Sequence, residues 1–412
     1  MKIGLLTYHS VPNFGAQLQA TSTIGWLKRM GHEPVLLNWY PKDLEDMFSK
    51  RIPQEQVACH DSYTKNFLPI TDICRTEDEL INVINRHDLD AIIVGSDALF
   101  KYIPQKNRRH FSKRKLRYVS HEMLSVQVLE GNPFFGGFAA KLNKKLHIAA
   151  FSVSSQNCAY EDMSKQERLQ MKVALSNYKY ITVRDKWTKY MVESIMGVSG
   201  IQVTPDPVFS FNQNCYFQLP SKEDIIKKYH LQNKYVLISF STWYNNETYI
   251  SNIAQEINRV GYMPVAFPMP EKLFSAGIAN QVDLPLSPID WYALIKYSSG
   301  YIGERMHPIV VCLHNAVPFF CFDEYGVFRK SYLGVYKKYI KESSKIYDIL
   351  NKAGLTEWMY SYYPHRQYPS PKSVVSALKS FDTNMCASFS NKYQLYYEEM
   401  MNRQINLIKT VL

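Results

Sequence analysis

The sequence predicts an α/β protein with two domains, each built on a parallel β-sheet with helices on both faces. The chain has 412 residues, which is too long for one ordinary hydrophobic core. Short apolar strands alternate with helices along most of its length, and this order favours parallel sheets. A polar segment at 212–222 separates two such sets and is interpreted as a hinge. We therefore predict a first domain at 1–220 with a basic insertion at about 101–146, a second domain at 221–370, and a helical C-terminal tail at 371–412.

The first domain begins with a strand, a polar loop and a helix. The helix at 16–30 has a buried stripe at helical spacing, and Gly31 is placed to end it. Capping boxes at Thr76–Glu79 and Ser164–Glu167 predict the starts of two more helices. The predicted strands are 3–7, 35–38, 91–95, 147–153, 180–183 and 201–203, and a further helix spans 185–196.

The second domain repeats this alternation. Its predicted strands are 235–240, 263–267, 300–303 and 317–322, and its predicted helices are 247–260, 289–297 and 306–315. Helices at 371–382 and 393–407 form the predicted tail. The strand–helix order again indicates a parallel sheet.

The charge of the chain favours anionic partners. Lys and Arg number 48 against 37 for Asp and Glu, a formal net charge of +11. The seven cysteines are scattered singly without a CxxC pair, which predicts reduced thiols in a cytoplasmic protein and gives no metal or redox motif. No apolar stretch approaches the ~20 residues that span a bilayer. A GxGxxG fingerprint and a Walker loop are also absent, which argues against hydride transfer and ATP-driven chemistry.

The predicted insertion is strongly basic. Residues 101–121 contain no acidic side chain, and a Gly- and Phe-rich run follows at 131–138. We expect a solvated loop that buries little surface. The alternative is that segment 101–117 contacts a membrane surface or a lipid-linked pyrophosphate acceptor. Nucleic acid is not an expected partner, because the run has few interleaved aromatic residues and matches no nucleic-acid module.

The stretch GERMHPIVVCLHNAVPFFCFDEYG at 303–326 is the most informative for chemistry. A short strand ends at Gly303, and Glu304, Arg305 and His307 lie where the chain turns into a helix. A helix N-terminus attracts anions, Arg305 can bind phosphate or carboxylate with two parallel hydrogen bonds, and His307 can exchange protons near neutral pH. The alternative is a surface ion pair for Arg305 and a helix cap for His307.

This stretch resembles the C-terminal signature of the polysaccharide pyruvyltransferase family. Other segments are similar to the family's motifs in the same order: IGLLTYHSVPNFGAQLQA (3–20), IIVGSDALF (92–100), FSVSS (151–155), TVRDKW (182–187) and TPDPVF (204–209). The resemblance implies two Rossmann-like domains facing a cleft, in the GT-B-like arrangement of two-domain glycosyltransferases. It also implies that phosphoenolpyruvate donates a pyruvyl group to a sugar, which becomes a pyruvate ketal.

The resemblance also implies roles for individual residues. Phosphoenolpyruvate carries about three negative charges, so several cations are expected around it. The expected donor-binding residues are Arg305, Arg184, Met306 and Glu304; the expected catalytic residues are His307 as general acid and Asp97 as general base; the expected substrate loop is Asn13, Phe14, Gly15 and Gln17. Asp206 is expected to position the segment between the domains. No cofactor is expected, and the metal requirement is left open.

Two features depart from the family pattern. The segment VGSDALF lacks the Gln and Trp that follow the Asp in the family, and the insertion has no counterpart. A glycosyltransferase that uses a nucleotide-sugar donor is the first alternative, and a non-catalytic sugar- or nucleic-acid-binding protein is the second. The acceptor, expected to be a sugar, is left open as lipid-linked or nucleotide-linked.

Overall fold

The computed structural model describes residues 1–112, 116–120, 122–241, 246–323, 327–330, 337–361 and 367–409. Two parallel sheets, one in each half of the chain, dominate these residues. A long C-terminal helix returns from the second half to the first.

The first sheet has six parallel strands in the order β2-β1-β3-β6-β7-β8. They are β1 (Lys2–Leu6), β2 (Glu33–Leu36), β3 (Ala91–Val94), β6 (His147–Val153), β7 (Tyr178–Val183) and β8 (Gln202–Val203), while β4 (Arg109–Ser112) and β5 (Arg117–Ser120) form a separate antiparallel pair. Its helices are α1 (Phe14–Arg29), α2 (Lys42–Ser49), α3 (Gln54–Phe67), α4 (Glu77–Arg86), α5 (Lys165–Leu175) and α6 (Lys186–Met196). The sequence prediction contained all of these strands except β4 and β5, and all of these helices except α2 and α3.

Alternate residues of the central strands enter two different cores. In β3, Ile92 and Val94 pack into one cluster, whereas Ala91 and Ile93 pack into another. Successive side chains of a strand point to opposite faces, so the sheet is covered on both sides.

The second sheet has five parallel strands in the order β10-β9-β11-β12-β15. They are β9 (Tyr235–Ser239), β10 (Met263–Ala266), β11 (Gly300–Gly303), β12 (Phe319–Asp323) and β15 (Met359–Ser361), and β13 (Val327–Lys330) pairs with β14 (Lys337–Ile340) outside the sheet. The helices of this half are α7 (Phe211–Cys215), α8 (Lys222–Lys228), α9 (Glu247–Arg259), α10 (Pro288–Lys296), α11 (Met306–Asn315), α12 (Lys345–Ala353) and α13 (Pro371–Lys379).

The segment predicted to be a polar hinge is a packed connection. Phe211 and Cys215 are fully buried on α7, which packs against α1. Asn212 accepts hydrogen bonds from Tyr292 and Lys296 of the second half. The polar residues of this segment are therefore internal hydrogen-bonding partners, which their sequence pattern did not indicate.

The last helix, α14 (Thr383–Lys409), joins the two halves. Its second part packs Tyr397, Met401 and Ile405 against strand residues of the first sheet such as Leu5 and Phe151. Helix α13, which was predicted to belong to the tail, packs against α9 of the second half.

Part of the insertion is buried, contrary to the expected solvated loop. Phe134, Phe135 and Phe138 belong to the first core and are almost completely inaccessible to solvent. Short 3₁₀ turns bring the three rings under the sheet, where Phe134 meets Trp39 edge-on with ring centroids 5.0 Å apart. Within the described residues of the insertion, Arg109 of β4 and most of β5 remain exposed.

Within the described ranges, none of the helices combines the length and apolarity that crossing a membrane requires.

Truncating a buried side chain on α14 should destabilise the protein. Met401 is fully buried against the first sheet, so Met401→Ala should lower the free energy of unfolding by about 2–5 kcal/mol. Leu395 lies exposed on the same helix, and Leu395→Ala should change the free energy of unfolding by less than about 0.5 kcal/mol. Chemical denaturation measures both values, and equal effects would contradict the docking of α14.

Candidate active site

A cavity of about 240 Å³ lies between the two halves. Most of the residues that line it follow the carboxyl end of a parallel strand, which is where ligands bind in open α/β sheets. They are Asn13–Gly15 after β1, Asp97 and Ala98 after β3, Gln156 and Asn157 after β6, Ser239 at the end of β9, Pro268–Glu271 after β10, Glu304–Pro308 after β11, Asp323 at the end of β12, Ser343–Ile346 after β14, and Trp291 from α10.

Three helices begin at this cavity. Asn13 caps α1 with a side chain that accepts from Ala16 N, Arg305 is the N-cap residue of α11, and Ser344 caps α12 with a side chain that accepts from Tyr347 N. A helix N-terminus carries unpaired N–H groups and a partial positive charge. Each of the three termini therefore brings unpaired N–H donors and a partial positive charge to the edge of the cavity.

Eight of the ten predicted site residues line the cavity, and two do not. The eight are Asn13, Phe14, Gly15, Asp97, Glu304, Arg305, Met306 and His307. Gln17 is buried and its amide donates to Thr64 Oγ1 and His60 O, so it ties α1 to α3. Arg184 lies behind the cavity wall, bound to carboxylates.

His307 is held between the two halves. Its ring packs so closely on Gly15 that a Cβ atom added there would lie 2.0 Å from His307 Nδ1. Its Nε2 lies 3.9 Å from Asp206 Oδ2 and makes no hydrogen bond to any described residue. Burial lowers the pKa of His307, and the carboxylates of Asp206 and Asp97 partly oppose that effect. The imidazole is therefore mainly neutral at pH 7.

A buried carboxylate links the groups around His307. Asp206 Oδ2 accepts from Arg184 Nη1 at 2.8 Å and from Gln19 Nε2 at 2.5 Å. Asp206 Oδ1 accepts from Val208 N, which fixes the carboxylate at the start of a 3₁₀ turn. Asp206 thus connects β7, α1 and α11.

Asp97 is the carboxylate on the cavity wall of the first half. Its Oδ1 accepts from Ala98 N at 2.6 Å and lies 3.7 Å from Arg184 Nη2. Its backbone φ is 119°, in the region that favours glycine. Such a conformation persists only where its surroundings impose it, and it is common at functional sites.

Arg305 enters the cavity from the second half. Its side chain is 43% exposed and lies 3.6 Å from Glu271 Oε1, and its Nε donates to Met269 Sδ at 3.3 Å. These contacts are weak, so the guanidinium is available to a ligand. The neighbouring Glu304 is buried and accepts from Ser241 N.

Phe14 and Trp291 form the floor between the halves. Their rings stack with centroids 5.1 Å apart and an interplanar angle of 15°. Phe14 belongs to the second core although it lies on a helix of the first half. This contact fixes the start of α1, and with it Gly15, against the second half.

The sequence prediction missed Lys345. This residue begins α12, lines the cavity and makes no hydrogen bond or ion pair with the described residues. Burial, together with the charge of Arg184, lowers the pKa of Lys345 to about 8. The N-cap Ser344 before an apolar helix was visible in the sequence, but nothing there placed this helix at the cavity.

No group of three or more His, Cys, Asp or Glu side chains in the described part of the chain is arranged to hold a metal ion.

Replacing Asp206 by Asn should destabilise the protein and lower the pKa of His307. The substitution leaves the Arg184 guanidinium buried without its nearest counter-charge, which should cost about 3 kcal/mol or more. It also removes a carboxylate that raises the pKa of His307, so that pKa should fall further. Urea denaturation and an NMR titration of the histidine rings measure the two effects.

Asp88→Asn is the matched control. Asp88 pairs with Lys144 on the surface, so this change should alter the free energy of unfolding by less than about 1 kcal/mol. An unchanged His307 titration in Asp206→Asn would show that the two side chains are not coupled.

Solved structures share the fold at low identity. The chain superposes on an S. aureus MnaA–UDP structure with a TM-score of 0.50 at 12% identity, covering 99% of this chain and 98% of that one. It superposes on a UDP-N-acetylglucosamine 2-epimerase from Rickettsia bellii with a TM-score of 0.50 at 9% identity, covering 100% and 97%. The spinosyn forosaminyltransferase SpnP gives a TM-score of 0.48 at 9% identity over 99% of each chain. The fold is thus a pair of Rossmann-like domains in a GT-B-like arrangement.

The sequence itself matches one family model. No curated protein matches the chain significantly. The family model described as polysaccharide pyruvyl transferase matches residues 13–324, which contain every predicted site residue. The match covers most of the chain, so the protein belongs to the polysaccharide pyruvyl transferase family.

Proposed function

We propose that this protein transfers the pyruvyl group of phosphoenolpyruvate to two hydroxyls of a sugar and forms a pyruvate ketal. One observation carries the proposal: three helix N-termini, with Arg305, Lys345 and His307, surround a single small cavity. A small and highly charged anion satisfies that arrangement. The family match is consistent with it.

The donor takes its place between cations from one half and carboxylates from the other. Arg305 binds one acidic group of phosphoenolpyruvate with its planar fork, and Lys345 neutralises the other. The backbone N–H groups that begin α11 and α12 supply further donors. Binding displaces the weak contact between Arg305 and Glu271.

His307 then supplies the proton that starts the reaction. The methylene carbon of the donor gains this proton, and the positive charge that develops at its C2 is attacked by a sugar hydroxyl. The C2–O bond to phosphate breaks, and a second hydroxyl closes the ketal. Two hydroxyl protons are released in total: one restores His307 and the other leaves with inorganic phosphate, so the sum balances.

Asp97 is the proposed base. It lines the same cavity as His307 from the opposite half, and its carboxylate is oriented by Ala98 N and Arg184. We assign Arg184 an indirect role, in which its ion pairs hold the carboxylates of Asp97 and Asp206 in place. Met306 and Glu304 line the donor pocket, and Asn13 caps the helix that begins at its edge. Gly15 has no side chain, which leaves space for the ring of His307.

The acceptor is a sugar that enters beside the apolar side chains of Pro268, Met269 and Pro270. Apolar surface of this kind suits the carbon face of a sugar ring. A nucleotide-sugar donor, the alternative, fits less well, because ligand pockets for molecules of that size usually reach ~300–1,000 Å³. The cytoplasm is the proposed compartment, and all seven cysteines are free thiols in the structure.

Replacing His307 by Gln should abolish most of the turnover. Incubation with phosphoenolpyruvate and a panel of glycosides should release phosphate and yield products with the mass of a pyruvate ketal. His307→Gln should lower kcat by about 10²–10⁴-fold with a smaller change in the KM for phosphoenolpyruvate. His87→Gln, at the end of α4, should retain wild-type turnover. Stabilisation by nucleotide sugars without any response to phosphoenolpyruvate would refute the proposed function.

Donor binding should weaken as the pH rises through about 8. The folded-state pKa of Lys345 is lowered to about 8, so the ammonium is present below that pH and lost above it. The Kd for phosphoenolpyruvate should therefore rise by up to about tenfold per pH unit above pH 8. Lys345→Arg should abolish this rise because a guanidinium stays charged, and Lys345→Met should bind weakly at every pH. Calorimetric titration measures these constants; a rise that persists in Lys345→Arg would exclude Lys345 as its cause.

A further inference from the structure

The antiparallel pair β4–β5 projects from the first half with little contact to its core. Its described side chains include Leu116 and Tyr118, which are 79% and 72% exposed, and the exposed cations Arg109 and Arg117. Among the large apolar side chains that the structure describes, Leu116 is the most exposed, and it directly precedes the cation Arg117. The tip residues 113–115 lie outside the described residues.

The segment that leads into this pair is anchored to the first half. Lys106 Nζ and Asn107 Nδ2 each donate to Asp162 at 3.0 Å. Arg108 donates to Ile103 O and to the Tyr102 hydroxyl. Lys106 and Arg108 therefore have partners within the protein, whereas Arg109 and Arg117 lie on the exposed strands β4 and β5.

A second basic pair belongs to the other half. The register of β13 and β14 sets Arg329 opposite Lys338 and Lys330 opposite Lys337. All four of these residues are basic in the sequence, so this pair has the same sign of charge as β4–β5.

Both pairs are inserted in the chain next to cavity-lining residues. The pair β4–β5 follows Asp97, and the pair β13–β14 lies between Asp323 and Ser343. The two pairs therefore leave the carboxyl edges of the two sheets, the edges that border the cavity.

We propose that β4–β5 docks the protein on an anionic lipid bilayer surface, with Leu116 and Tyr118 entering the headgroup region. Cations beside an anionic bilayer and a few apolar side chains in its interface together give reversible binding. The charge of the pair matches this partner, since no acidic residue occurs between 101 and 121. The docking does not depend on the identity of the donor, so it and the proposed reaction succeed or fail separately.

Co-sedimentation of the full chain with vesicles tests the proposal. Vesicles of phosphatidylcholine and phosphatidylglycerol should bind the protein at low salt and release it as salt rises, whereas pure phosphatidylcholine vesicles should not bind it. Arg109→Ser with Arg117→Ser should lower the partition coefficient by about 25-fold, roughly fivefold for each cation. Leu116→Ser with Tyr118→Ser should lower it by about tenfold or more.

Helix α5 offers a matched control with the same kinds of exposed side chains. It exposes Leu169 and Val173 together with Lys165 and Lys172. Serine at the two apolar or the two basic positions of α5 should leave vesicle binding unchanged. Equal binding to both kinds of vesicle, or an equal loss in the α5 variants, would overturn the proposal. So would loss of transfer to a water-soluble acceptor in the β4–β5 variants, because the pair would then act in the site itself.

Discussion

The buried carboxylate of Asp206 is the contact around which the site is organised. It accepts from Arg184 and Gln19, and it lies 3.9 Å from the ring of His307. Two of these partners belong to the first half and one to the second. A carboxylate excluded from water must be balanced by cations and donors, so its presence dictates what surrounds it. The relative position of the two halves at the cavity thus depends on an electrostatic requirement as well as on apolar packing.

Local sequence patterns predicted the helices and strands whose buried side chains form a regular apolar stripe. Helix α11 begins at Met306 and ends at Asn315, as predicted, because a strand ends before it and an apolar stripe runs along it. Helix α3 was missed because its buried side chains are Gln56, His60, Tyr63 and Thr64, which form no apolar stripe. The aromatic run 131–138 was expected in solvent because 3₁₀ turns have no periodic signature, yet three of its rings fill the core.

The site could be predicted to the extent that it is built at strand ends. Asp97, Arg305 and His307 follow strands directly, so their presence at the carboxyl edges was predictable from the alternation of elements. The surroundings of Arg184 could not be predicted, because its ion pair with Asp206 joins two residues that no local sequence pattern connects. Lys345 follows β13 and β14 in the chain and lines the cavity. No local sequence pattern indicates that the chain comes back to the cavity at this point.

The charges of the cavity suggest how proton supply and donor binding are coupled. Burial keeps the pKa of His307 low, and the charges of Arg184 and Lys345 lower it further. An anion with about three negative charges, placed beside His307, reverses that balance and raises the pKa. On the proposed mechanism the imidazole therefore becomes an effective acid only when the donor is bound. On this mechanism His307 carries a proton for the enol methylene when the donor is bound. Without the donor, the imidazole stays mainly neutral.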